Sequence, residues 1–470
     1  MLDQRKILEA TCESALSYRG NMLENACAPQ RNYAEMLQVF SEPFPEARCD
    51  GVDVIRELVE RGEPGLTQMA HPRFFGWVLG GSAPVGVAAD WLVSAWGQNA
   101  AFHASSPTAA AIEEVAGQWL LDILSLPRDA VVGFVTGGTV GNFTALAAAR
   151  GSVLRKQGWD PDRDGLFGAP PVEVFVGDDA HTSVFSALGY LGFGRERVHR
   201  IASDGEGRMI ADDLARRVAQ VSGPTIVIAQ AGQINTGAFD PFDRIAEIAR
   251  SADAWLHVDG AFGLWARAHP AYRALTHGIE EADSWSVDGH KWLQTPFDSG
   301  FVIVRDHDAL ERAMGIDASY LPDRSEQERI PCFLVPELSR RARGIPTWAM
   351  LKTLGREGVE EIVERHCRIA QHIAQRLRTG SNVHVLNDVV LNQIVVSFGD
   401  RQTTSEARKI ATGSVIKQLQ DSGKIFVSGG RWKGEWVMRI SVICDATTES
   451  HADDVADLIL STWACVNSDD

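Results

Sequence analysis

The stretch TIVIAQAGQINTGAFDPFDRIAEIARSADAWLHVDG, residues 225–260, decides the architecture. It opens on one continuous apolar run, TIVIAQAG, and closes on another, AWLHVDG, with the helix-like FDRIAEIARSA between them. A short apolar run without alternation reads as a strand buried on both faces. A strand, a helix and a second strand in this order form the unit of a parallel sheet covered by helices. The same pattern continues outward. VVGFVT (131–136), VEVFVG (172–177) and FVIVRD (301–306) read as further buried strands, and NFTALAAARGSVLRKQG (142–158) reads as a helix. Functional groups in such folds gather at the carboxyl ends of the strands.

The flanks differ in style. Residues 1–65 read as a helical arm, with APQRNYAEMLQVF and VDVIRELVERG separated by the Pro-rich SEPFPEARCDG, and the arm is short of a core of its own. Residues 66–375 read as one large α/β domain that ends in a long helix, TWAMLKTLGREGVEEIVERHCRIAQHIAQRL. Residues 376–470 read as a small α+β domain, with HVLND, QIVVSFG, IFVSGGRW and WVMRISVI as strands and SHADDVADLILSTWA as a helix.

Composition narrows the function classes. With 470 residues and 45% hydrophobic content, the chain has ample material for a large core. A net charge of −17 disfavours nucleic acid and anionic membranes as partners. Seven cysteines, none in a CxxC pair, argue against a disulfide framework and against a structural zinc site, and no metal is expected. The start, MLDQRKILEATCES, has no apolar h-region, and no run approaches a membrane span, so the cytoplasm is the expected compartment.

Three features carry chemistry. In FVTGGTVGNFTALAAAR (134–150) an apolar strand runs through Gly137, Gly138 and Thr139 into a helix, and backbone N–H groups there suit an anion. Taken alone, that turn is equally a phosphate cradle or an ordinary tight turn. In WLHVDGAFGLWA (255–266) Asp259 ends a strand before small residues, either as a cap or as the partner of a buried cation. In SWSVDGHKWLQTPFDSG (284–300) Lys291 lies in a mostly apolar or small segment, where a lysine either snorkels to solvent or, desolvated, forms a Schiff base. Together the three are the contacts that pyridoxal 5'-phosphate needs: a phosphate cradle, a carboxylate that keeps the pyridine nitrogen protonated, and an amine for the aldehyde.

The ordered set HPRFFGWV (71–78), SSPTAAAIEEVAGQWLLDILSLP (105–127), TGGTVGNFTALAAAR, DDAHTSVFSALGYLG, GAFDPFDRIAEIA, HVDGAF, DGHKWL and SRRARGIPTW resembles the group II pyridoxal-phosphate-dependent amino acid decarboxylases. That family includes the aromatic amino acid and glutamate decarboxylases. The resemblance covers about residues 70–360. It implies the type I, aspartate aminotransferase-like fold, with a mostly parallel seven-stranded sheet flanked by helices.

The resemblance also assigns roles. Lys291 would carry the cofactor, Asp259 would hold the ring nitrogen, and His181 would stack on the ring and help orient the substrate carboxylate. Ala261 would lie against the opposite ring face, Asn235 near the ring hydroxyl, and His290 with Gly138 and Thr139 at the phosphate. Tyr320, in AMGIDASYLPD, matches the mobile-loop tyrosine that protonates the substrate α-carbon after CO2 leaves.

The implied reaction is decarboxylation of an L-amino acid to its amine and CO2, with an aromatic substrate favoured and Trp77 and His103 as candidate substrate contacts. The alternatives are an aldehyde synthase (oxidative decarboxylase), another lyase or aminotransferase reaction on the same fold, and a non-catalytic homologue. A homodimer with a shared active site is also implied, the arm wrapping the partner. Three departures fall where the substrate pocket is expected: Val140–Gly141 in place of a common glutamate, DGAFGL in place of DAAYGG, and FHASSP in place of a Trp before Ser-Pro.

Overall fold

The computed structural model describes residues 2–315 and 329–468, so Tyr320 lies outside the described residues. The chain forms two compact units. One comprises residues 82–371 and 386–395, and the other comprises residues 1–81, 372–385 and 396–470.

The larger unit is built on seven strands: β1 (Val131–Val135), β2 (Glu173–Gly177), β3 (His199–Ile201), β4 (Thr225–Gln230), β5 (Trp255–Asp259), β6 (Ser284–Asp288) and β7 (Gly300–Val304). Their spatial order is β1-β7-β6-β5-β4-β2-β3. The strands β3, β2, β4, β5 and β6 run parallel to one another, whereas β7 is antiparallel to both β6 and β1. This is the mostly parallel seven-stranded sheet expected of the type I fold. Every residue of β4, β5, β6 and β7 is buried, because helices cover both faces.

The helix Gly138–Lys156 packs closely on the sheet because its inner face is small: Gly141, Ala145, Ala148 and Ala149 are all buried. A Cβ on Gly141 would stand 3.1 Å from the Cβ of Ser286 on β6, a spacing with little tolerance for a larger side chain. Register aligns the carboxyl ends of the central strands. Gln230 of β4 pairs with Asp259 of β5, and Asp259 pairs with Ser286 of β6. A row of polar side chains therefore ends the most deeply buried strands. Behind β1, Arg340 and Glu113 form an ion pair at 2.6 Å with both side chains 1% exposed, and Arg340 also donates to the Phe134 carbonyl.

The smaller unit carries a four-stranded sheet, in the order β10-β11-β9-β8, from β8 (Val383–Val385), β9 (Gln393–Phe398), β10 (Ser428–Trp432) and β11 (Glu435–Ser441). The helix Ser405–Asp421 connects β9 to β10 and the helix Glu449–Ser468 follows β11, and both bury an apolar stripe. The N-terminal helices Leu2–Gly20, Tyr33–Phe40 and Gly51–Gly62 belong to the same unit. Their ends are well specified: Asn32 and Glu35 form a capping box, and Asp50 caps the third helix. Their apolar residues, however, find little cover. Neither Tyr33–Phe40 nor Gly51–Gly62 buries a single residue, and Leu16, Tyr33 and Phe44 are 68%, 81% and 91% exposed. All seven cysteines are free thiols. Among the described residues no helix is long and apolar enough to cross a membrane.

Candidate active site

Asp259 is the last residue of β5 and is buried. Its Oδ1 accepts the Ala261 N–H at 3.2 Å, and its Oδ2 accepts Nδ2 of Asn142 at 3.1 Å. Two donors leave a carboxylate with unused lone pairs, so Asp259 has capacity for one more N–H. The carboxylate caps the turn after its strand through the Ala261 N–H.

Lys291 lies on the next strand end, three residues beyond β6. Its side chain is only 13% exposed, and its Nζ sits 3.0 Å from Oδ2 of Asp288. The Phe262 ring centroid is 5.8 Å away. The lysine therefore does not snorkel to solvent. Asp288 is the last residue of β6, is 2% exposed, and its Oδ1 is buried with no hydrogen-bond partner among the described residues. A buried carboxylate oxygen left unpaired is costly and marks a place where a donor belongs.

The glycine turn closes over this carboxylate. A Cβ on Gly138 would lie 3.4 Å from Asp288 Oδ2 and 3.6 Å from the Ala261 Cβ, and one on Gly137 would meet His290 Cε1 at 2.9 Å. The helix that starts at Gly138 makes its first internal bond from Gly141 N–H to the Gly137 carbonyl. Its preceding N–H groups have no intrahelical acceptor, which makes this end suited to an anion. His290 Nδ1 accepts the Ser299 N–H, which leaves Nε2 to carry the ring proton, 3.7 Å from Asp288 Oδ2. Burial holds its pKa below the ordinary histidine value, with Asp288 pulling the other way.

His181 caps the helix Thr182–Tyr190, beyond β2. Its Nδ1 accepts from the Ser183 N–H at 3.3 Å and lies 2.8 Å from the Ser183 Oγ, while its own N–H donates to Gln230 Oε1 at 3.1 Å. Asn235 follows β4, 9% exposed, with its N–H held by Gln233 Oε1 at 2.6 Å. Ala261 accepts the Asp288 N–H on its carbonyl, so β5 and β6 are tied together beyond their strand ends.

Lys291, Asp259, Gly138, Thr139, His181, Asn235, Ala261 and His290 thus all stand at or just beyond the strand ends or helix starts of the larger unit. His103 is in the same unit, its Nδ1 3.2 Å from the Arg329 carbonyl. Trp77 belongs to the other unit, where it packs on Phe426 at 4.9 Å and adopts φ 52.

Two polar residues of this cluster were not singled out by the sequence reading. Asp288 repeats the Val-Asp-Gly signature of Asp259 on the adjacent strand, and that repeat was the available signal. Asn142 is an amide in an otherwise alanine-rich helix face, 0% exposed, and reaches Asp259, Ser183, Ser286 and His257.

A buried amine, a buried strand-end carboxylate with spare capacity and a glycine turn at a helix start define the class: a protein that handles a carbonyl-bearing, phosphorylated cofactor. The chain matches the pyridoxal-dependent decarboxylase conserved domain over residues 35–398, and it belongs to that family. Its cofactor is pyridoxal phosphate and it is a carboxy-lyase of that type. The aromatic-L-amino-acid decarboxylase of Bacillus atrophaeus is 28% identical over 87% of this chain and 84% of its own length. The phenylacetaldehyde synthase of Arabidopsis thaliana is 24% identical over 90% and 87%. The crystal structure of Oryza sativa TDC with PLP and tryptamine superposes with a TM-score of 0.91 at 24% identity, covering 98% of both chains, a likeness of fold. The residues present fit the cofactor chemically: an amine for its aldehyde, an acceptor for its ring nitrogen, and free N–H groups for its phosphate.

Proposed function

We propose that this chain decarboxylates an L-amino acid, with an aromatic side chain preferred, to the corresponding amine and CO2. The observation that carries the reading is the pairing, on two adjacent strand ends, of a buried acceptor carboxylate, Asp259, with a desolvated amine, Lys291. Bound pyridoxal phosphate supplies an electron sink for the carboxylate's bond to the α-carbon when its ring nitrogen is protonated.

The chain's own residues would do the rest. Lys291 Nζ would hold the cofactor's aldehyde covalently, and Asp259 would keep the proton on the ring nitrogen. The Gly138 and Thr139 N–H groups, with His290, would bind phosphate oxygens. His181 and Ala261 would bracket the ring, and Asn235 would hydrogen-bond its hydroxyl. Tyr320 would deliver the proton to the α-carbon.

The aromatic preference is supported by the name of the Bacillus relative. The competing outcome, an aldehyde in place of the amine, is supported by the name of the Arabidopsis relative. Seven free thiols fit a reducing compartment, and we assign the reaction to the cytoplasm. The poorly covered apolar residues of the N-terminal arm, residues 1–65, support a homodimer in which the arm is exchanged with a partner subunit.

Lys291→Ala tests the core of this reading. Turnover should fall by more than a thousandfold, and borohydride reduction should no longer fix the cofactor to the peptide that contains residue 291. Retained turnover, or cofactor fixed elsewhere, would overturn it.

A further inference from the structure

The groups around Asn142 form a hydrogen-bond chain whose direction is set from both ends. Asp259 accepts only, so the Asn142 amide must present its NH2 to Oδ2 at 3.1 Å. Its Oδ1 then faces His257 Nε2 at 2.9 Å and the Ser286 Oγ at 2.6 Å, and both must donate. With Nε2 protonated, the neutral His257 ring accepts at Nδ1, 2.9 Å from the Ser284 Oγ. At the far end the Trp255 indole, a donor only, gives its N–H to that same Ser284 oxygen at 2.8 Å, leaving the hydroxyl proton free to point at His257. The two ends agree on one polarity, running from Trp255 through Ser284, His257 and Asn142 to Asp259.

A branch leaves the same amide. The second Asn142 N–H reaches the Ser183 Oγ at 3.3 Å, and that hydroxyl lies 2.8 Å from His181 Nδ1. Both hydrogens and both lone-pair directions of the Asn142 amide are therefore used, in a residue that is 0% exposed, as are His257, Ser284 and Ser286. Buried networks satisfied this completely hold their members in one arrangement.

We infer that Asn142, backed by His257, is the positioning residue of this site. It orients the Asp259 carboxylate with a lone pair free for the cofactor's ring nitrogen, and through Ser183 it fixes the tautomer and orientation of His181. This rests on the proposed assignment of Asp259 to the ring nitrogen. Asn142 touches neither cofactor nor substrate in this scheme; it acts through the two residues that do.

The test compares Asn142→Asp, Asn142→Ala and Asp259→Asn with the parent enzyme, all loaded with pyridoxal phosphate. Two quantities are read: the rate at which cofactor is lost on dilution, and the visible absorption and circular dichroism bands of the bound cofactor. Asn142→Asp is isosteric but turns an acceptor toward Asp259, which forces a proton between the two carboxyls. Its band should shift as it does in Asp259→Asn, with cofactor loss at least tenfold faster. Asn142→Ala, which adds no charge, should show the same shift in smaller degree, and it keeps the test open if the Asp variant does not fold.

A folded Asn142 variant with the parent's bands and cofactor-loss rate would overturn the positioning role while Asp259→Asn still shows its defect. If Asp259→Asn itself behaves as the parent, the assignment of Asp259 fails first, and the positioning role fails with it.

Discussion

Asp259 and Asp288 end neighbouring strands within the same Val-Asp-Gly sequence, yet their neighbours give them different tasks. Among the described residues Asp259 accepts from the Asn142 amide and the Ala261 N–H and keeps a lone pair in reserve, whereas Asp288 meets Lys291 Nζ. His257, two residues before Asp259, is held neutral: its pKa is pulled down to about 4, chiefly by burial, against the opposing pull of Asp259. An unfolded histidine titrates near 6.5, so between about pH 6.5 and 4 the unfolded chain binds a proton that the folded chain refuses. The contribution is complete above that window and is lost as pH falls through it, to roughly 3 kcal/mol at the acid end. Asp240, raised to about 6 by burial, acts in the opposite sense over an overlapping range. The informative quantity is therefore the difference between the parent and His257→Gln. Urea unfolding at pH 7 and 4.5 should show a markedly shallower acid loss in the variant, and equal losses would contradict a neutral His257. Motifs made Lys291 and Asp259 legible in the sequence because an amine and a carboxylate have few reasons to sit in apolar company. Asn142 was not legible, because an amide in a helix gives no hint of the four partners that two strands and another helix bring to it.

At the scale of elements, the long apolar runs announced β1, β2, β4, β5 and β7, since strands covered on both faces need unbroken hydrophobicity. β6 did not announce itself in the same way. SWSVD alternates serine with apolar residues instead of forming an unbroken apolar run, yet all five residues are buried. Ser284 and Ser286 are tolerated there because His257, Trp255 and Asn142 take up their hydroxyls. β3, three residues at the sheet edge, is too short to carry a pattern. The long C-terminal helix of the larger domain reads as continuous, but Gly355 breaks it with φ 57 and ψ −171, a conformation open to glycine. The element most exposed to a single change is the support behind β1. Glu113→Ala would leave the Arg340 guanidinium buried without its carboxylate, at a cost of about 3–5 kcal/mol. Chemical denaturation should register that loss, while Glu9→Ala, which breaks the exposed Arg5–Glu9 pair, should change stability by less than about 1 kcal/mol. Equal effects from the two would contradict the account of the buried pair.

At the scale of the whole molecule, the arm is the feature that one chain leaves unexplained. Its second and third helices are capped, yet neither buries a residue, and an amphipathic helix gains most of its stability from a covered face. The proposed exchange of arms within a homodimer supplies that cover. Sedimentation should give twice the chain's 51.3 kDa, and deletion of residues 2–62 should yield monomers without turnover. A fully active monomer would contradict the shared site. The substrate was the least legible property: the positions that depart from the family pattern were visible in the sequence, but which side chain they admit depends on packing that residue types alone do not specify. The most direct measurement of the central claim is therefore CO2 release from the purified, cofactor-loaded protein against the common L-amino acids and L-DOPA, with amine, aldehyde and keto acid quantified together. The expected result is CO2 matched one-to-one by amine from an aromatic amino acid. Aldehyde with peroxide, keto acid without CO2, or no reaction from any of them with cofactor bound through Lys291, would contradict it.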